Sequence, residues 1–226
     1  MTELRKSSRV FSVLIPVMAI VAFTHYPAPG TVGKKSTGSK PTRAQILRGR
    51  YLVIDHDCNG CHGGIDPADP QWLSGTYSPQ QEFKIGPCAF QPGAQPCWTT
   101  RPRNLTPDNE TGMGRFSERQ IFNSLRYGLR PGETPDVVIT STTPGKGNFP
   151  ANPRYLAPPM PWPGWRHMVD DDLWAIAAYL KYGVKPISHH VEDSDGPPDF
   201  WASAYTVEKI GPYPAPPFPT AQERKF

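Results

Sequence analysis

The sequence predicts an all-α domain with long irregular Pro/Gly-rich loops and an extended C-terminal tail. Two observations carry this. Three stretches place apolar residues at helical spacing behind recognisable caps, beginning near Thr42, Ser117 and Asp170. Between and after them the chain shows no lasting periodicity and is dense in proline, 29 of 226 residues, more than twice ordinary usage.

Taken in order, Arg5, Lys6 and Arg9 precede an apolar run from Val10 to Phe23 that contains Pro16. The run is shorter than the ~20 residues of a membrane span and suits the core of an export signal. No clean small-residue cleavage site follows, so residues 1–23 are read as a signal peptide or an N-terminal membrane anchor. Residues 24–41, rich in Pro, Gly, Ser and Lys, are a flexible linker. Thr42 can cap a helix through Ala44, Ile46, Leu47, Tyr51 and Leu52, with Gly49 in its middle costing about 1 kcal/mol against alanine. Residues 63–103 read as one long loop. Ser117 and Gln120 form a capping box ahead of Ile121, Phe122 and Leu125, and Gly128 and Pro131 stop that helix. Asp170, Asp171 and Asp172 supply an N-cap and favourable charge for a last helix carrying Leu173, Ile176, Ala177 and Leu180, which Gly183 and Pro186 end. The main domain therefore covers 42–186, and 187–226 is a Pro-rich C-terminal extension. A net charge of +4 is too weak to argue for nucleic acid, and no Gly-rich phosphate loop is present.

Chemistry concentrates in Cys58-Asn59-Gly60-Cys61-His62, the pattern for covalent haem attachment. Each thiol adds across one vinyl group, so the sulfurs must sit one short turn apart. His62 then lies beneath the iron and can offer its imidazole as the proximal ligand. Zinc held by Cys58, Cys61, His62 and a fourth donor is the alternative use of these residues. Only one such motif occurs, which predicts one haem c. Cys88 and Cys97 have a spacing that suits neither metal nor haem, and in an oxidising compartment they pair as a disulfide. For the sixth ligand, Met113 and Met168 compete with Met160, and His167 is the leading histidine. Met160 is preferred because Pro159 and Pro161 stiffen its backbone, and Trp162 and Trp165 can cover the haem edge. His56 lies too close to the motif, and His189 and His190 read as solvated turn residues.

These residues resemble a class I cytochrome c over roughly 41–186. The resemblance rests on Arg48-Gly49-Arg50-Tyr51, on Cys58 to His62, on Met160 and on Ala175 to Leu180 in the closing helix. It implies that the first and last helices cross at Gly49. A narrower resemblance joins Arg103-Asn104-Leu105-Thr106-Pro107-Asp108, Glu110 to Phe116 and Met160-Pro161-Trp162. That combination is similar to cytochromes that serve as electron-accepting subunits or partners of periplasmic dehydrogenases. It implies that Asn104 and Thr106 lie near the haem, and that the Gly86-Pro87 carbonyl accepts from the proximal histidine. The expected function is a periplasmic, mono-haem carrier of single electrons with His62 and Met160 on the iron, rather than an enzyme. Its partners would be redox proteins on the dehydrogenase or oxidase side, reached with an inner-membrane tether. The alternative is a haem enzyme or gas-binding module with an open sixth position.

Overall fold

A computed structural model describes residues 40–195, 205–212 and 215–225. The chain divides into two units, Met1–Val32 and Gly33–Phe226, and all described residues belong to the second. The signal or anchor at 1–23 and nearly all of the linker at 24–41 lie outside the described residues.

Six helices occur among the described residues: α1 Arg43–Asp55, α2 Cys58–His62, α3 Glu118–Tyr127, α4 Trp162–Trp165, α5 Asp170–Ala178 and α6 Val207–Ile210. The expectation of an all-α chain is corrected by what lies between them. Most helices are short, several connections are single 3-10 turns, and β1 Phe83–Ile85 pairs antiparallel with β2 Trp98–Thr100. The register sets Phe83 opposite Thr100 and Ile85 opposite Trp98, so aromatic and β-branched side chains meet across the ladder. A disulfide between Cys88 and Cys97 closes the end of this hairpin, with the Cα atoms 5.5 Å apart. Residues 63–103 are thus not a plain loop; they hold a small stapled sheet.

Local sequence explains the helix ends. The Thr42 hydroxyl accepts from Gln45 N at 3.2 Å. Ser117 and Gln120 form the reciprocal capping box, each bond 3.0 Å. The cap of α5 differs from expectation. Val169 occupies the N-cap position with no side-chain bond, and Asp170 to Asp172 fill the first turn. Arginines draw the carboxylates away from capping. Asp172 accepts a two-pronged bond from Arg48 on α1, at 2.9 and 3.0 Å, and Asp170 pairs with buried Arg126 on α3. The N-terminus of α5 is therefore pinned to both neighbouring helices, and its positive dipole end meets negative charge.

The core lies between these three helices. Leu52 and Val53 of α1, Ile121, Phe122 and Leu125 of α3, and Leu173, Ile176 and Leu180 of the closing segment are all buried in it. Gly49 sits where α1 crosses α5: a Cβ there would lie 1.9 Å from the Ala175 carbonyl oxygen and 2.7 Å from Tyr179 Cβ. The α1 backbone comes this close to the α5 backbone only because that position is glycine. Beyond α5 the chain makes one π-helical turn, Tyr179–Gly183. It then runs without regular secondary structure through residues 187–195, bonded to residues 74, 99, 101, 103, 104, 106 and 111. Farther on, Tyr205 is buried against the main core. No helix among the described residues is long and apolar enough to cross a membrane.

Candidate functional site

Helix α1 ends at Asp55, and Asp57 turns the backbone through a left-handed conformation, φ 51°, into the single turn of α2. That places Cys58, Cys61 and His62 on one short helix. Both thiols are free and half-buried. Burial, reinforced by Asp57, pushes the Cys58 thiol up to about 12, and burial raises Cys61 as well. A redox Cys-x-x-Cys works by the opposite shift, toward a stable thiolate. Here burial shifts both thiols the other way. Among the described residues no three of His, Cys, Asp and Glu converge as a metal-holding group.

His62 is 7 % exposed and its Nδ1 lies 2.6 Å from the Arg103 carbonyl oxygen. A carbonyl only accepts, so Nδ1 carries the proton and Nε2 presents a lone pair. Burial holds the imidazole below its usual range, against the opposing bond to Arg103, which keeps the ring neutral. A neutral ring with one nitrogen anchored and the other free is the state an iron ligand requires. The partner differs from expectation: it is the carbonyl of Arg103, which follows Pro102, and not that of Pro87. The Pro102-Arg103-Asn104-Leu105 run was the available signal, but it lies 41 positions from His62.

Met160 is half-buried, closes a turn on the Ala157 carbonyl at 2.9 Å, and packs against the main core, as Cys58 does. Trp162 is fully buried and stacks on Tyr155 with ring centroids 5.7 Å apart. Its indole covers Gly128, the left-handed residue at the end of α3, where a Cβ would come within 2.1 Å of the ring.

Asn104 and Thr106 are buried, but their polar atoms are taken by protein. Asn104 Oδ1 accepts from Thr106 N at 2.9 Å and its Nδ2 donates to Ile187 O at 2.8 Å. His189 is half-buried rather than a fully solvated turn residue. Its ring stacks on Tyr77 at 3.8 Å and its Nδ1 lies 2.8 Å from the Ser74 carbonyl oxygen. Nothing in the sequence near His189 signals this, because every partner comes from far away in the chain. His190 is exposed.

A turn bearing two free thiols and a neutral, anchored histidine fits covalent haem c. The chain is of a cytochrome c-like class, similar to the cytochrome subunits of dehydrogenases. It is 29 % identical over 155 residues to the gluconate 2-dehydrogenase cytochrome c subunit of Pantoea cypripedii, covering 68 % of this chain and 26 % of that protein. It is 26 % identical over 151 residues to the fructose dehydrogenase cytochrome subunit of Gluconobacter japonicus, covering 67 % and 24 % respectively. Against the cytochrome c subunit of the quinone alcohol dehydrogenase of Gluconacetobacter polyoxogenes it is 26 % identical over 153 residues, covering 67 % and 25 %. The chain thus spans about a quarter of the length of the curated relatives it matches. No family model matches it.

Proposed function

We propose that this chain is a periplasmic mono-haem c-type cytochrome that passes single electrons between redox partners. The observation that carries the reading is His62: buried, neutral, anchored at Nδ1 and directly after two free cysteines on one helical turn. When bound, haem c supplies a one-electron ferric/ferrous couple. The protein's residues do the rest. Cys58 and Cys61 hold the group through thioether bonds. The Arg103 carbonyl keeps the His62 proton on Nδ1 and the ring in one orientation. Met160 offers its sulfur from a segment that Pro158, Pro159 and Pro161 make stiff, so ordering it costs little entropy. Buried Trp162 and Trp165 exclude water beside that segment.

The relatives are named as subunits of gluconate, fructose and alcohol dehydrogenases. By that similarity the partner on one side is a dehydrogenase, met at the membrane through the N-terminal apolar run.

The test is spectroscopic. Protein matured in a host that attaches haem should give a haem-staining band that survives denaturing electrophoresis. Its oxidised spectrum should show a methionine–iron charge-transfer band. Met160→Ala should abolish that band and lower the potential, because a thioether ligand favours ferrous iron. An unchanged spectrum and potential in that variant would remove Met160 from the site. A colourless wild-type protein would remove the function altogether.

A further inference from the structure

Arg103 lends its carbonyl to His62, and the segment after α5 grips both Arg103 and the residue beyond it. Arg103 Nη1 donates to Val191 O at 2.6 Å and to Glu192 O at 2.9 Å, and Nη2 pairs with the Asp193 carboxylate. An Asx turn at Asn104 needs only Oδ1, which accepts from Thr106 N and from the Thr106 hydroxyl at 2.8 Å. The amide nitrogen is surplus to that turn. It donates to Ile187 O at 2.8 Å and Thr111 Oγ1 at 3.0 Å, with His189 O at 3.3 Å. Thr106 Oγ1 in turn accepts from Ile187 N at 3.1 Å. The same segment reaches the other stretch that holds His62: Gly75 N donates to the His62 carbonyl at 2.7 Å, and the neighbouring Ser74 carbonyl receives His189 Nδ1.

We propose that Asn104 is a positioning residue: by tying residues 187–189 to the turn after Arg103, it fixes the carbonyl that receives the His62 Nδ1 proton and so sets how strongly His62 donates to iron. The inference rests on the reading of His62 as an axial ligand. A firmly held acceptor draws the Nδ1 proton, enriches the Nε2 lone pair and favours ferric iron. Loosening the carbonyl weakens that donation, and the potential rises.

The experiment is redox titration of the full-length, haem-loaded protein. Asn104→Ala and Asn104→Leu both lose the Nδ2 donors without adding charge. They should raise the potential by ~59 mV, the one-electron equivalent of a tenfold loss in ferric preference. Thr106→Val, which keeps Asn104 and removes one of its two Oδ1 donors, should shift it in the same direction by less. Gln120→Ala breaks the capping box of α3, lowers stability and should leave the potential alone. Wild-type potentials in both Asn104 variants overturn the inference, as does an equal shift in Gln120→Ala. Should the Asn104 variants fail to load haem, an unmoved Thr106→Val overturns it too. A wild-type protein without covalent haem defeats the functional reading itself. A loaded wild type with an indifferent Asn104 defeats only the role of Asn104.

Discussion

Gly49 and Gly128 each stand where a methyl group has no room. At Gly49 the obstacle is the Ala175 carbonyl, which is backbone and cannot turn aside. Gly49→Ala should lower stability by about 2–3 kcal/mol despite the higher helix propensity of alanine, as denaturant unfolding would show. Gly128→Ala should cost at least as much, since φ is +67° and the Trp162 ring lies in the way. Gly49 was legible because a glycine inside a helical pattern demands a packing reason. Asn104 was not. Asn-Leu-Thr-Pro-Asp reads the same whether its amide is solvated or bonded, and the Ile187 carbonyl it meets lies 83 positions away. The acceptor for His62 escaped for the same reason. The Cys-x-x-Cys-His pattern is local and written in five consecutive residues; second partners are set by tertiary packing.

Helix α5 is anchored by two carboxylates of unequal weight. Asp172 meets Arg48 at the surface, where the Arg48 side chain is 50 % exposed, and Asp172→Ala should cost less than about 1 kcal/mol. Asp170 meets Arg126, whose side chain is only 8 % exposed. Asp170→Ala takes the carboxylate from a buried guanidinium, leaving it the Arg166 carbonyl, and should cost about 3 kcal/mol in the same unfolding assay. The hairpin of β1 and β2 makes a different demand. Its strands of three residues are too short to show an alternating pattern, which is why the sequence read as loop. The Cys88–Cys97 bond closes a loop of sequence separation 9. Replacing both cysteines by serine should remove about 2–3 kcal/mol by the chain-entropy relation. The three main helices were legible from their period, and the first two from their caps as well; the N-cap of α5, the sheet and the 3-10 turns were not.

Across the whole molecule, the segment at 187–195 is held by charge as well as by backbone bonds. Hydrogen bonding to Arg103 holds the Asp193 carboxyl below its ordinary value of 3.8, and Arg101 does the same for Asp195. Both pKa values are depressed, so the support they give is complete above 3.8 and fades as pH falls through the lower folded values. Amide exchange in 187–195 should therefore stay flat from about pH 5 to 8, after correction for intrinsic rates, and accelerate on acidification below about 4.

The crossing at Gly49 joins a helix made just before the two thiols to one made near the end of the described core. Cys58 packs against the core that α5 completes, and in the finished fold its thiol stays protonated up to about 12. Closing the domain therefore means pairing positions 124 apart in sequence, as at Arg48 and Asp172, so that single crossing carries a long loop-closure entropy.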